Sequence, residues 1–276
     1  MELVPKCPLL QHELDAPSAF KPEELVGAVR AAKGLPDVSV PSVCVLDFDG
    51  DLTDWLVRHG KAVAFQPWAC FHTTMYLVEA DGVRCGVIAR TIGGPYAVLV
   101  AEQLRVSGAQ LILGLTSAGR VNPSLPLPSL VVVTSAVRDE GTSLHYVPPG
   151  KQIACPTPIG DLLKDELSPL GLTVVQGSVW TTDAPYRETR QQLQCHTASG
   201  VLAVEMQAAS LFAFAAARKV GIGIVAHVTN AVDHRDDPFD KGTNEDSFAL
   251  LRAMLRAART YILEVVRSPT PPSHGG

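Results

Sequence analysis

Carboxylates two residues apart, hydroxyls inside glycine-rich turns and acids set in apolar runs are the features of this chain that could do chemistry. Asp47, Asp49 and Asp51 alternate behind the apolar run that ends at Leu46. Carboxylates at that spacing can divide the roles of nucleophile and proton donor, or Asp49 and Asp51 can turn the chain and cap a helix before Trp55. Gly93, Gly94 and Pro95 form one glycine-rich turn, and Gly114 and Gly119 bracket Thr116 and Ser117 in another. Backbone N–H groups in such turns, with two hydroxyls, can cradle an anion or a carboxylate; glycines there can equally serve only close packing. Between Arg138 and Tyr146 almost every side chain is polar, and members of so dense a loop are expected to bond one another and stiffen the wall of a site. Glu205 and Gln207 lie near the start of the most apolar stretch of the chain. A buried carboxylate without a partner costs about 3–5 kcal/mol, so Glu205 needs either an ion-pair partner or ligand donors such as sugar hydroxyls.

These residues need elements to hold them. Residues 22–34 read as a helix, with proline and acids in its first turn, basic residues in its last and a stopping glycine. Residues 43–47 form a short apolar strand, and 73–80 and 83–89 flank Asp81-Gly82 as a hairpin. A helix is expected from Gly93 to about Ser107, a buried strand over 109–115, strands over 130–137 and 172–179, and a helix over 159–170 between them. Residues 203–220 are apolar almost all round and read as a central buried helix; 222–229 is a continuous apolar strand, and 244–266 a long amphipathic helix. The alternation of strand and helix predicts an α/β fold with a mixed sheet covered by helices on both faces. One domain over residues 1–267 is the expectation, with 268–276 a disordered proline- and glycine-rich tail.

A hydrophobic content of 46% supports a large core, and a net charge of −5 without a basic stripe speaks against nucleic acid as a partner. No apolar run reaches the roughly 20 residues of a membrane span, and the first residues do not read as a signal peptide. Six cysteines without metal spacing suit buried free thiols in a reducing, cytoplasmic setting, and no metal site is expected.

Leu46-Asp47-Phe48-Asp49-Gly50-Asp51-Leu52-Thr53 resembles the opening motif of haloacid-dehalogenase-type phosphatases. Asp51 adds a third carboxylate where a phosphate would be repelled, and no matching later lysine or acidic metal motif follows, so the resemblance ends there.

A second resemblance spans about residues 75–235. Gly93-Gly94-Pro95, Thr116-Ser117-Ala118-Gly119, the segment from Val137 to Tyr146, the segment from Thr182 to Thr189 and that from Val204 to Ser210 are similar, in order and spacing, to the nucleoside phosphorylase-I family, its uridine-phosphorylase-like branch in particular. The resemblance implies a three-layer α/β sandwich around a mixed, barrel-like central sheet, assembled as a homo-oligomer of two to six copies. It implies cleavage of a nucleoside's N-glycosidic bond with phosphate as co-substrate, or with water in the nucleosidase branch, and no other cofactor. Gly94, Thr116, Ser117 and Gly119 would belong to the turns that hold the nucleophile, with Ser117 on phosphate. Glu205, Met206 and Gln207 would hold the ribose. Tyr186, Arg187, Glu188 and Thr189 would meet the base, with Arg187 or Arg190 stabilising its departing charge. His12 would reach the ribose 5′ hydroxyl of a neighbouring subunit.

Three departures from the family pattern are legible. The family's early phosphate loop with its arginine falls on the acidic 47–51 segment, a second phosphate arginine falls on Gly114, and the second ribose glutamate is Gln207. An orthophosphate dianion is normally held by two or more cationic donors, which leaves Arg58, Arg90 and Arg120 as candidate replacements. The purine branch's aspartate acid appears as Asn230, and a neutral amide cannot protonate a purine, so pyrimidine nucleosides are expected. Water as nucleophile, or a weakly catalytic nucleoside-binding protein, are the alternatives.

Overall fold

The computed structural model describes residues 7–232 and 244–266. The tail from 268 therefore lies outside the described residues. The helix α1 (Pro22–Lys33) ends on Gly34 in the left-handed region, as its sequence signals predict. The first strand, β1 (Val43–Asp47), is buried along its whole length. Then follow α2 (Asp51–Arg58), β2 (Ala62–Ala64), the hairpin β3 (Met75–Ala80) and β4 (Val83–Ala89), and α3 (Gly94–Val106). The second half runs β5 (Leu111–Arg120), β6 (Ser129–Asp139), β7 (Gln152–Ala154), α4 (Gly160–Leu167), β8 (Thr173–Thr182), α5 (Arg190–Ala198), β9 (Ala203–Glu205), α6 (Ala208–Arg218), β10 (Gly221–Ala231) and α7 (Asn244–Tyr261).

Five strands close on themselves in the order β5, β10, β6, β8, β9 and back to β5. Within that ring β5–β10, β6–β8 and β8–β9 are parallel, while β10–β6 and β9–β5 are antiparallel. Outside it, β1 lies parallel between β5 and β4, β3 and β2 extend the sheet antiparallel, and β7 pairs with β6. One core packs α3 and α6 against the sheet through Leu104, Phe212 and Phe214. A second packs α2, α4 and α7 on the opposite side through Leu56, Leu163 and Met254. This is the mixed sheet between two helical layers that the alternation of elements predicts, with the barrel-like closure that the resemblance implies.

Three local expectations are corrected. The segment from Gly114 to Gly119 is strand throughout and not a turn, because β5 runs on to Arg120. Its glycines give room to neighbours: a Cβ at Gly114 would stand 2.8 Å from the Phe48 ring, and one at Gly119 would stand 2.7 Å from Val232. The apolar run from residue 203 is a three-residue strand followed by a helix that starts only at Ala208. Asp49 does not cap α2. Asp47 does so, accepting from the N–H groups of Gly50 (3.1 Å) and Thr53 (2.8 Å) and from the Thr53 hydroxyl (2.7 Å).

Gly94 opens α3 under the start of α6, and a Cβ there would fall inside the van der Waals radius of Ser210. Gly94→Ala is expected to lower stability by about 1–3 kcal/mol, the usual cost of overpacking. Chemical denaturation tests this, and a loss within error of zero refutes the tight helix contact.

Candidate active site

A cavity of about 580 Å³ opens beside β9 and the ends of β5 and β10. Its walls bring together ten of the residues singled out from sequence: Thr116, Ser117 and Gly119 from β5, Tyr186, Glu188 and Arg190 from the β8–α5 connection, Glu205, Met206 and Gln207 from β9 and the start of α6, and Asn230 from β10. Phe48 and Asp49, following β1, complete one end. Gly94, Arg187, Thr189 and His12 do not line it. Gly94 serves helix packing. Thr189 caps α5, accepting from the Gln192 N–H at 3.3 Å. Arg187 is exposed in the short turn Pro185–Arg187. His12 stacks on His145 with ring centroids 4.8 Å apart, beside a separate groove.

Glu205 is 4% exposed and belongs to no ion pair among the described residues. Its Oε2 accepts from the N–H groups of Gln207 (2.6 Å) and Ala208 (2.9 Å) at the start of α6, where the helix dipole also favours a negative charge. Its Oε1 accepts from the Thr181 hydroxyl (2.5 Å), which itself accepts from the Ala209 N–H (3.0 Å). Burial pushes its pKa up to about 7 against these hydrogen bonds, helped by the nearby Glu140. A carboxylate offers about four acceptor sites and three are used, which leaves one on a residue that lines the cavity.

Gln207 is buried beside it. Its Oε1 accepts from the Met206 N–H at 3.3 Å and lies 3.5 Å from the Thr116 hydroxyl. That leaves its amide nitrogen as the group to offer a ligand, a donor in a place where a carboxylate would accept. Glu188, half-buried, has its pKa raised to about 7 by desolvation. Tyr186 is 99% exposed at the mouth.

The end formed by Phe48 and Asp49 lies in the 47–51 segment on which the family's early phosphate loop falls, although neither residue was singled out from sequence as lining the site. Both oxygens of Asp49 accept from Ser117, at 2.9 Å from its N–H and 3.1 Å from its hydroxyl. The three candidate cations are placed elsewhere. Arg90 pairs with Asp54, Arg58 donates to the Asp54 carbonyl (3.3 Å) and Arg120 to the Leu125 carbonyl (3.3 Å). Arg190 is the one cation among the described residues that line the cavity.

Comparison with known proteins bears on this geometry. A family model described as the Phosphorylase superfamily matches residues 26–267, and the chain belongs to that family. It is 25% identical over 207 residues to a protein named uridine phosphorylase from Salmonella typhimurium, covering 68% of this chain and 80% of that one. It is 24% identical over 246 residues to a protein named uridine phosphorylase from Treponema pallidum, covering 84% and 93%. A protein named guanosine phosphorylase from Halorubrum lacusprofundi is 26% identical over 152 residues, covering 54% of this chain and 61% of that one.

Proposed function

We infer that this protein cleaves the N-glycosidic bond of a nucleoside bound in the cavity, with pyrimidine ribonucleosides as the preferred class. The observation that carries this reading is Glu205: a buried carboxylate at a cavity wall, held by three donors and, among the described residues, by no cation. It would accept from a ribose hydroxyl, with Met206 beneath the sugar and Gln207 donating to its neighbour. The base would lie toward Tyr186, Glu188 and Arg190, near the Asn230 amide. Bond breaking leaves positive charge on the sugar and negative charge on the base. Fixed dipoles and a cation placed for those charges provide rate without reorganising. Phosphate is the acceptor that the family and its named relatives favour. Water is the second reading, favoured by the carboxylate of Asp49 on Ser117. An assembly of two to six copies, with His12 reaching a neighbour's ribose, belongs to the same reading.

Release of free base from uridine, cytidine, inosine and adenosine, followed by chromatography with phosphate present, tests the proposal. Uridine or cytidine should turn over fastest, and no release from any of the four sinks it.

A pH dependence follows from the two raised carboxyls. Glu205 serves the sugar as a carboxylate, so kcat/KM should rise as pH rises through about 7. Glu188 serves the departing base as a protonated donor, so the same rate should fall above about 7. The expected profile is a narrow bell, and Glu188→Gln should flatten its alkaline limb alone. An alkaline limb unchanged in that variant removes Glu188 from the reaction.

A further inference from the structure

We propose that the groove bordered by α1, α3 and the Thr142–His145 turn is a second binding site, for a flat, neutral fused ring that presents an N–H beside a C=O. The groove is separate from the nucleoside cavity, and its assignment does not rest on the nucleoside reading.

Gln103 carries the inference. It lines the groove, is 2% exposed, and has no hydrogen-bond partner at either its amide nitrogen or its amide oxygen. A buried amide that forgoes both bonds is costly, and a leucine there would fill similar space without that cost. The amide therefore answers to a ligand in the groove. A carboxamide holds its donor and its acceptor side by side in one plane. The partner that satisfies both at once carries the same two groups in opposite order, which is a lactam edge.

The walls define the rest of the ligand. Leu25 from α1, Val98 and Leu99 from α3, and Leu9 and Phe20 from the segment before α1 give the groove apolar sides. Phe20 and Leu99 are exposed, so an aromatic face laid against them removes apolar surface from water. A volume of about 580 Å³ leaves room for a fused ring system. The charged groups are already matched. Glu102 accepts from Arg218 (2.7 Å) and from the Tyr146 hydroxyl (3.2 Å), and Arg218 lies over the Tyr146 ring at 5.5 Å. Asp183, at the exposed rim, accepts from the Gly141 N–H at 2.9 Å. Arg218 is the one arginine or lysine among the described residues that line the groove. With that cation held by Glu102, a phosphate or carboxylate gains little there, and a neutral ligand fits better. The competing occupant is a trapped water between Gln103 and Ser107, whose buried hydroxyl, four residues on, is also unpartnered.

The test titrates the purified full-length protein by calorimetry with 2-quinolone, a fused-ring lactam. N-methyl-2-quinolone, which keeps the rings and the carbonyl and lacks the N–H, is the control. The unaltered protein should bind 2-quinolone, and the methylated ring about tenfold more weakly or worse, the factor expected when a buried acceptor is left unpaired. Gln103→Leu should weaken 2-quinolone by a similar factor. Without ligand it should melt at a higher temperature than the unaltered protein, since it removes an unsatisfied group. A lower melting temperature shows an amide held by structure, such as trapped water, and overturns the proposal. Equal affinity for the two quinolones, or 2-quinolone binding untouched by Gln103→Leu, places the probe elsewhere and overturns it as well. So does an absence of binding, whether water or a second copy of the chain fills the groove. If Gln103→Leu fails to fold, Leu99→Trp decides, because that exposed position tolerates a ring that should occupy the groove. Loss of 2-quinolone binding in that variant supports the site, and unchanged affinity sinks it.

Discussion

Glu205→Gln is expected to lower kcat/KM for nucleoside cleavage by about 10- to 10²-fold while leaving a folded protein. The substitution keeps the volume of the side chain and removes its charge. An amide has one oxygen, and the N–H groups of Gln207 and Ala208 claim it, because an amide N–H turned toward them would set donor against donor. The amide nitrogen then faces Thr181 and the cavity, where a sugar hydroxyl needs an acceptor. A hydrogen bond to a charged group contributes about 1.5–3 kcal/mol, and here it would act on the sugar as its charge develops. Stability has its own sign. The folded state raises the pKa of Glu205 from 4.5 to about 7, so it holds a proton more tightly than the unfolded chain does. Its contribution is complete below the unfolded value and is lost as pH rises through about 7, by on the order of 3 kcal/mol. Relative to the unaltered protein, Glu205→Gln should therefore gain stability from pH 5 to pH 8, because it lacks the buried charge that the carboxylate acquires over that range. Activity within twofold of the unaltered protein, on the scale that reads a charged hydrogen bond, would show that the carboxylate only caps the helix.

Gly114→Arg is expected to destabilise the fold by about 3 kcal/mol or more, at the upper end of overpacking costs. The side chain would have to pass through the Phe48 ring, and Ile224 Cγ1 stands 3.3 Å from the same Cβ position on the other side. β5 cannot shift to relieve this, since β1 and β10 bind it on both edges. Phe48→Ala alone should also be destabilising, because its ring is fully buried. The double variant, however, should be more stable than the two losses predict together, as each change makes the space or fills the gap left by the other. Denaturant titrations of the four proteins measure this coupling, expected above about 1 kcal/mol for groups in contact. Simple additivity would mean that Phe48 and Gly114 do not exclude one another, and the filled end of the cavity would lose its physical basis.

The layers of the fold were readable because long apolar runs and glycine or proline punctuation mark strands and helices directly, as at β1, the Asp81-Gly82 hairpin and α1. The start of α6 was not. Residues 203–220 are apolar without interruption, and a buried strand leading into a buried helix has no periodicity to mark the junction. The break falls at Gln207, whose backbone leaves the helical region where Glu205 folds back to accept from the next two amides. The glycines of β5 misled for a related reason. Glycine in a strand signals either a turn or the close approach of another group, and the sequence does not name that group. Here it is Phe48 over Gly114 and Val232 over Gly119, both distant along the chain. Asp49 shows the same limit: its contact with Ser117 spans 68 positions, so local reasoning assigned it to the nearest helix and missed the cavity. Ten proposed lining residues nevertheless converge, because the resemblance supplied the long-range pairings that local patterns cannot.

The pairing that closes the ring joins β5 to β10, elements separated by residues 121–220, and the cavity draws on residues from Phe48 to Val232. Contacts between such remote segments form late, since the intervening polypeptide must first give up its freedom. During synthesis the pocket therefore has no floor until β10 has emerged, however early the residues from Phe48 to Arg120 are made.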